Sequence, residues 1–172
     1  MPHRSLLRTA GIGFFPLGFL ARLPYAASAL SSLLLLQAST HSYGFAGLAC
    51  AAQSIAIAVG GPLVGALADR HGHRTTGIVA GGANIAAWAL LLITSHGSRG
   101  SMLAAAVLVG LTQPQVGPLV RVHWSRLLSH GQDNQLPAAL SYEASVDELS
   151  FVVGPALVGL LASLSPLAPA TI

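Results

Sequence analysis

The chain has 172 residues, 53% of them hydrophobic and only 8% charged, with eight basic against five acidic side chains. Soluble domains carry about 25% charged residues, so this composition excludes a water-soluble globule. The net charge of +3 is too small to read as a nucleic-acid footprint, and Cys50, the single cysteine, excludes an intrachain disulfide.

Five apolar runs approach the ~20 residues needed to cross a hydrocarbon core. A membrane barrel would alternate apolar and polar residues, so the expected fold class is all-α, a polytopic helical membrane protein. The first span covers residues 12–36 and holds Arg22 between Pro16 and Pro24. "ASA" at Ala27–Ala29 imitates the cleavage site of a secretory signal, but the apolar run resumes at once as "LSSLLLL", which favours an uncleaved span. The long stem of Arg22 is expected to snorkel to the nearer interface, with a buried anion site as the alternative.

The second span covers 44–68 and runs into "GALADRHGHRTT", residues 65–76. Gly72 suits a tight reversal into the third span, 77–94, and Gly65 would let a neighbouring helix approach. Arg70 and Arg74 fit beside helix-end carbonyls and anionic headgroups. Asp69 is opposed by the dipole at a helix C-terminus and should therefore have a partner, which would make a breakable latch. Gln53 and Asn84, in spans two and three, are of the kind that joins helices to one another.

The fourth span, 102–120, contains Gln113 in "GLTQPQVGPLVRVHW". Its two prolines free backbone carbonyls that protein or a water-lined cavity must satisfy. Residues 121–141 read as a polar connection, with Arg121 near the cytoplasmic exit. The fifth span, 142–164, opens on "YEASVDELSF". Glu143 and Asp147 share a helical face, and Glu148 lies about 100° round from Asp147. Like charges at that spacing repel, so one is expected to be protonated or paired with Arg121, Arg126 or Arg22. An acidic turn at the membrane interface is one reading; Asp147 or Glu148 as a proton or cation site is the other. Asp147, Glu148, Glu143, Arg22 and Gln113 together form the candidate proton or solute site.

Arginine placement sets the orientation. Arg4 and Arg8 precede span one, Arg70 and Arg74 follow span two, Arg121 and Arg126 follow span four, and Arg99 alone lies in a loop on the other side. The positive-inside rule then puts the N-terminus and the 69–76 loop in the cytoplasm and the C-terminus outside.

At Gly65, Asp69, Arg70, Gly72 and Arg74 the chain resembles the major facilitator superfamily of secondary transporters. The loop motif of that family between helices two and three reads G-x-x-x-D-R/K-x-G-R/K-R/K; His73 here replaces one basic residue. The resemblance implies two six-helix halves, each made of inverted three-helix repeats. Residues 1–172 would then be a single transmembrane domain, the N-terminal half without its sixth helix and with the second half absent. An internal echo, "GPLVGALA" at 61–68 and "GPALVGLLA" at 154–162, falls on equivalent helices of the two repeats. Gly154, Pro155 and Gly159 resemble a helix-packing motif of drug/proton antiporters, with spacing G-P-x-x-x-G in place of G-P-x-x-G-G. The intramembrane arginine that proton-coupled relatives often carry on helix four has no counterpart within 102–120.

The implied function is secondary transport of a small solute in a cell membrane, in particular a bacterial inner membrane, with drug/proton antiport or efflux among the options. The implied partners are the lipid bilayer, the solute, protons, and either the missing half or another copy of the chain. The alternative is a membrane protein without transport activity that acts as a packing partner. No enzymatic activity and no cofactor is expected. No phosphate-binding loop of the G-x-x-x-x-G-K-[ST] form is present, and the seven histidines are too scattered to suggest a metal.

Overall fold

A computed structural model describes residues 13–114, 116–128 and 135–164, apart from the side chains of Phe14, Leu119, His123, Arg126 and Leu127. Arg4 and Arg8, used above for orientation, and the C-terminal "SPLAPATI" lie outside the described residues, as does the Arg126 side chain. Most of the described residues are helical and none is in a strand: α1 Phe14–Leu20, α2 Leu23–Thr40, α3 Tyr43–His71, α4 His73–Thr94, α5 Arg99–Thr112, α6 Val116–Leu128 and α7 Leu136–Ala162. Five stretches are long and apolar enough to cross a membrane: Phe15–Thr40, Tyr43–His71, His73–Thr94, Arg99–Val122 and Leu136–Ala162.

Local chemistry explains where the helices stop. Ser42 and Ser98 begin α3 and α5 by accepting hydrogen bonds from the Phe45 and Ser101 amides, at 3.3 and 3.2 Å. Gly72 alone separates α3 from α4, at φ 88°, a left-handed conformation that an L side chain rarely adopts. The reversal is therefore tighter than the expected loop of residues 69–76: Asp69 and Arg70 are the last turn of α3, and Arg74 is in the first turn of α4.

Spans one and four are broken, each at a proline. Pro24 cannot donate to the Leu20 carbonyl, and the chain bends at Ala21 and Arg22. In span four α5 ends at Thr112 and α6 begins at Val116, across Pro114. Asn84 of α4 donates to the Val109 carbonyl at 3.0 Å and to Thr112 at 3.1 Å, so a neighbouring helix satisfies the backbone beside the break.

Two boundaries differ from the hydropathy reading. Most of the polar stretch after residue 120 is helix, since α6 runs to Leu128, and α7 starts at Leu136 instead of near 142. Polar side chains at a helix end depress hydropathy without stopping the helix.

Packing follows a rule opposite to that of a soluble core. The buried face of α3 is Ala46, Ala49, Gln53, Ala56, Gly60, Val64 and Ala68, while Leu48, Ile55, Val59, Leu63 and Leu67 are exposed. Small residues let helices meet closely and large apolar ones face lipid. A Cβ on Gly110 would run into the Gln53 carbonyl oxygen, and one on Gly154 would stand 2.9 Å from the Ala26 Cβ. These glycines seat α5 on α3 and α7 on α2. Gly65 and Gly159, expected to serve the same purpose, have nothing within 4 Å of that position. Both face outward from the contacts their own helices make.

One apolar cluster joins Leu35, Leu36, Ala49, Leu91, Met102 and Val109 at the end of the bundle where α2 and α4 finish. A smaller one at the opposite end packs Trp124, Leu128 and Ala139 with Phe15 and Leu136.

Candidate functional site

Immediately inside the Trp124 cluster, four charged side chains from three spans converge. The break in span one places Arg22 there. Its backbone N–H bonds to the Phe19 carbonyl at 3.0 Å, and its own guanidinium takes up the Gly18 carbonyl at 2.7 Å. The remaining guanidinium nitrogens reach α7: Nη2 pairs with Glu143 and Nε donates to Asp147 Oδ1 at 2.7 Å. Arg121 of α6 donates to the other oxygen of Asp147, Oδ2, at 2.6 Å. Trp124, one turn further along α6, donates from Nε1 to Glu143 Oε1 at 2.7 Å.

The two carboxylates are held differently. Side-chain exposure is 6% for Arg22 and 1% for Glu143, but 23% for Asp147 and 47% for Arg121. Glu143 is a sealed counter-ion with both oxygens engaged. Asp147 spans two guanidiniums and borders a cavity of about 150 Å³ lined by Arg22, Tyr25, Gly117, Ser150 and Phe151, among others. A Cβ at Gly117 would stand 3.3 Å from Asp147 Oδ2, so the absent side chain lets α6 bring Arg121 close.

Two positive and two negative charges cancel, which is the condition for tolerating them inside a bilayer. Asp147 comes eleven residues after the start of α7 at Leu136, about 16 Å along the helix, and is well removed from either end.

Several expectations are corrected by this geometry. Arg22 does not snorkel; it is buried in ion pairs, because the carboxylates of α7 lie opposite the bend. Glu143 and Asp147 do not open the helix, since α7 begins two turns before Glu143. Arg121 does lie at the end of span four, which closes at Val122, but the helix α6 continues past it and its side chain reaches back to Asp147. Glu148 points to the exposed side of α7, outside the cluster.

Gln113 is buried elsewhere, in a second polar chain: Gln53 Nε2 donates to Ser28 Oγ at 2.8 Å and Ser28 to Gln113 Oε1 at 3.4 Å. These amides join spans one, two and four, as polar residues in spans are expected to do. The sequence reading did not single out Trp124. Its place one turn from Arg121, on the same amphipathic segment, is the signal that marks it.

The loop motif is not brought to this site. Asp69, Arg70 and Arg74 are exposed at the α3–α4 turn, and Asp69 has no ion-pair or hydrogen-bond partner among the described residues. No group of three potential metal ligands converges among those residues.

A family model described as Major Facilitator Superfamily matches residues 14–170. No curated protein and no solved structure matches the chain.

Proposed function

The chain belongs to the Major Facilitator Superfamily, and from that premise we propose that it serves secondary transport of a small solute, with Asp147 as the group that takes up and releases a coupling proton. The observation that carries this reading is the sharing of Asp147 between Arg22 and Arg121 beside a cavity, on a helix long and apolar enough to cross a membrane. A neutral cluster becomes +1 when Asp147 is protonated; Arg121 then loses its anionic partner and Arg22 keeps only Glu143. That change of partners is a natural trigger for moving α6 against α7 and α2.

Asp69 supplies the second element of the mechanism. It sits at the unfavourable end of the α3 dipole with no partner among the described residues, and this supports a latch to a facing helical half, on further chain or on another copy. The bundle is then the N-terminal half of the transporting unit. The arginines at 70, 74 and 121 lie toward one side and Arg99 toward the other, which supports a cytoplasmic N-terminus and an inner-membrane orientation. Drug/proton antiport has weaker support: of its motif, Gly154 packs closely on α2 but Gly159 touches no neighbour.

In proteoliposomes that hold the protein with its facing half, an imposed pH gradient should drive solute flux, and Asp147→Asn should abolish the dependence on that gradient. Flux that stays fully coupled in the Asn variant would overturn the assignment.

A further inference from the structure

We propose that the space between Arg22 and Arg121 is a binding site for a small organic anion, a monocarboxylate with a compact apolar body, which replaces the Asp147 carboxylate when that group is protonated. The proposal rests on the reading of Asp147 as the proton-exchanging group and deepens it by naming the solute class.

The Asp147 carboxylate already occupies the place such a ligand would take. One oxygen accepts from Arg22 Nε at 2.7 Å and the other from Arg121 Nη2 at 2.6 Å, a two-armed arrangement suited to a planar carboxylate. The charged groups facing Asp147 are Arg22 at the head of α2, Arg121 on α6, and Glu143 one turn earlier on α7. Glu143 is fully engaged by Arg22 and Trp124, so it cannot take over the duty of neutralising Arg121. A proton from solvent on Asp147 therefore leaves the buried Nε of Arg22, and the half-exposed Arg121 beside it, without that anionic partner. An anion of solute origin is the group that restores neutrality.

The cavity sets the rest of the ligand. Its volume is about 150 Å³, and Tyr25, Ala26, Val116, Pro118 and Phe151 give it apolar walls beside the two guanidiniums. Tyr25 and Phe151 meet edge to face with ring centroids 6.1 Å apart. A void of about this size accommodates a benzene ring. A short or aromatic monocarboxylate fits, whereas a sugar would leave hydroxyls unpaired against those walls and a cation would meet Arg22 and Arg121.

Benzoate, benzamide and benzylamine are the probes, titrated into the purified full chain in detergent. Wild type should bind benzoate alone, with affinity rising by up to about tenfold for each unit by which the pH is lowered. Asp147→Asn should bind benzoate tightly at the higher pH and lose most of the pH dependence. Arg121→Gln, at an exposed position that spares the Arg22–Glu143 pair, should lose benzoate binding at the lower pH while retaining helical circular dichroism. Equal binding of benzamide, an Asn variant that is folded but binds no better than wild type at the higher pH, or undiminished binding by Arg121→Gln would each overturn the proposal. The two readings fail separately: if Asp147 takes up no proton but the Asn variant binds benzoate, coupling is wrong and the anion site stands. If Asp147 takes up a proton and neither form binds benzoate, the anion site is wrong and coupling stands.

Discussion

At the scale of single residues, the membrane interior makes every charge a matter of partners. Glu143 is 1% exposed and depends on Arg22 and Trp124 for both oxygens. Arg22→Met would strand a buried carboxylate and should lower stability by about 3–5 kcal/mol, whereas the double variant Arg22→Met/Glu143→Leu should recover most of that loss. Trp124→Phe keeps the ring but removes one donor and should cost about 1–3 kcal/mol. Unfolding of the three variants in detergent checks both figures, and a double variant no more stable than Arg22→Met would refute the pairing. The sequence announces part of this site. The i, i+4 spacing of Glu143 and Asp147 puts them on one face, and Arg22 and Arg121 are among the few cations able to meet them. Its burial is not legible, because nothing in the residues around Arg22 says whether the bend at Pro24 turns the side chain toward α7 or toward lipid.

At the scale of elements, small residues at the contacts decide how closely helices lie. Gly110 meets the α3 backbone at Gln53, so Gly110→Ala should destabilise by about 1–3 kcal/mol through forced separation of α3 and α5. Gly159→Ala fills open space and should change stability by no more than about 0.5 kcal/mol. Thermal unfolding of the pair separates a packing glycine from an idle one; equal losses would contradict the helix contacts described here. The number and order of spans follow from hydropathy, since runs of some twenty apolar residues admit no other structure in a bilayer. The ends do not follow, as "RVHWSRLL" shows. Read by hydropathy it is a loop, yet Trp124 and Leu128 fall on one face at i, i+4 and are buried, with Arg121 and Ser125 exposed on another. Amphipathic period, and not mean hydropathy, carries the signal for a helix that leaves the membrane.

At the scale of the whole molecule, orientation and coupling belong together. The cluster lies toward the side of Arg121 and the α3–α4 turn, so a cytoplasmic N-terminus would place Asp147 nearer to cytoplasmic protons. Reporter fusions at His71 should read cytoplasmic, and fusions at Thr40 and Arg99 external; the reverse pattern would invert the side from which the proton enters. Asp69→Asn should slow conformational cycling while leaving insertion and solute affinity nearly intact, since a charged hydrogen bond of about 1.5–3 kcal/mol would be lost away from the cavity. Weakened solute binding at unchanged turnover would speak for direct contact instead. The central claim is that one carboxylate of the cluster exchanges a proton while the other stays a fixed counter-ion. Infrared difference spectroscopy of the chain in lipid bilayers, taken before and after acidification, measures this directly, because a protonated carboxyl has its own carbonyl band. A band should grow on acidification, vanish in Asp147→Asn and survive in Glu148→Gln; a band unchanged by Asp147→Asn would contradict proton exchange at Asp147.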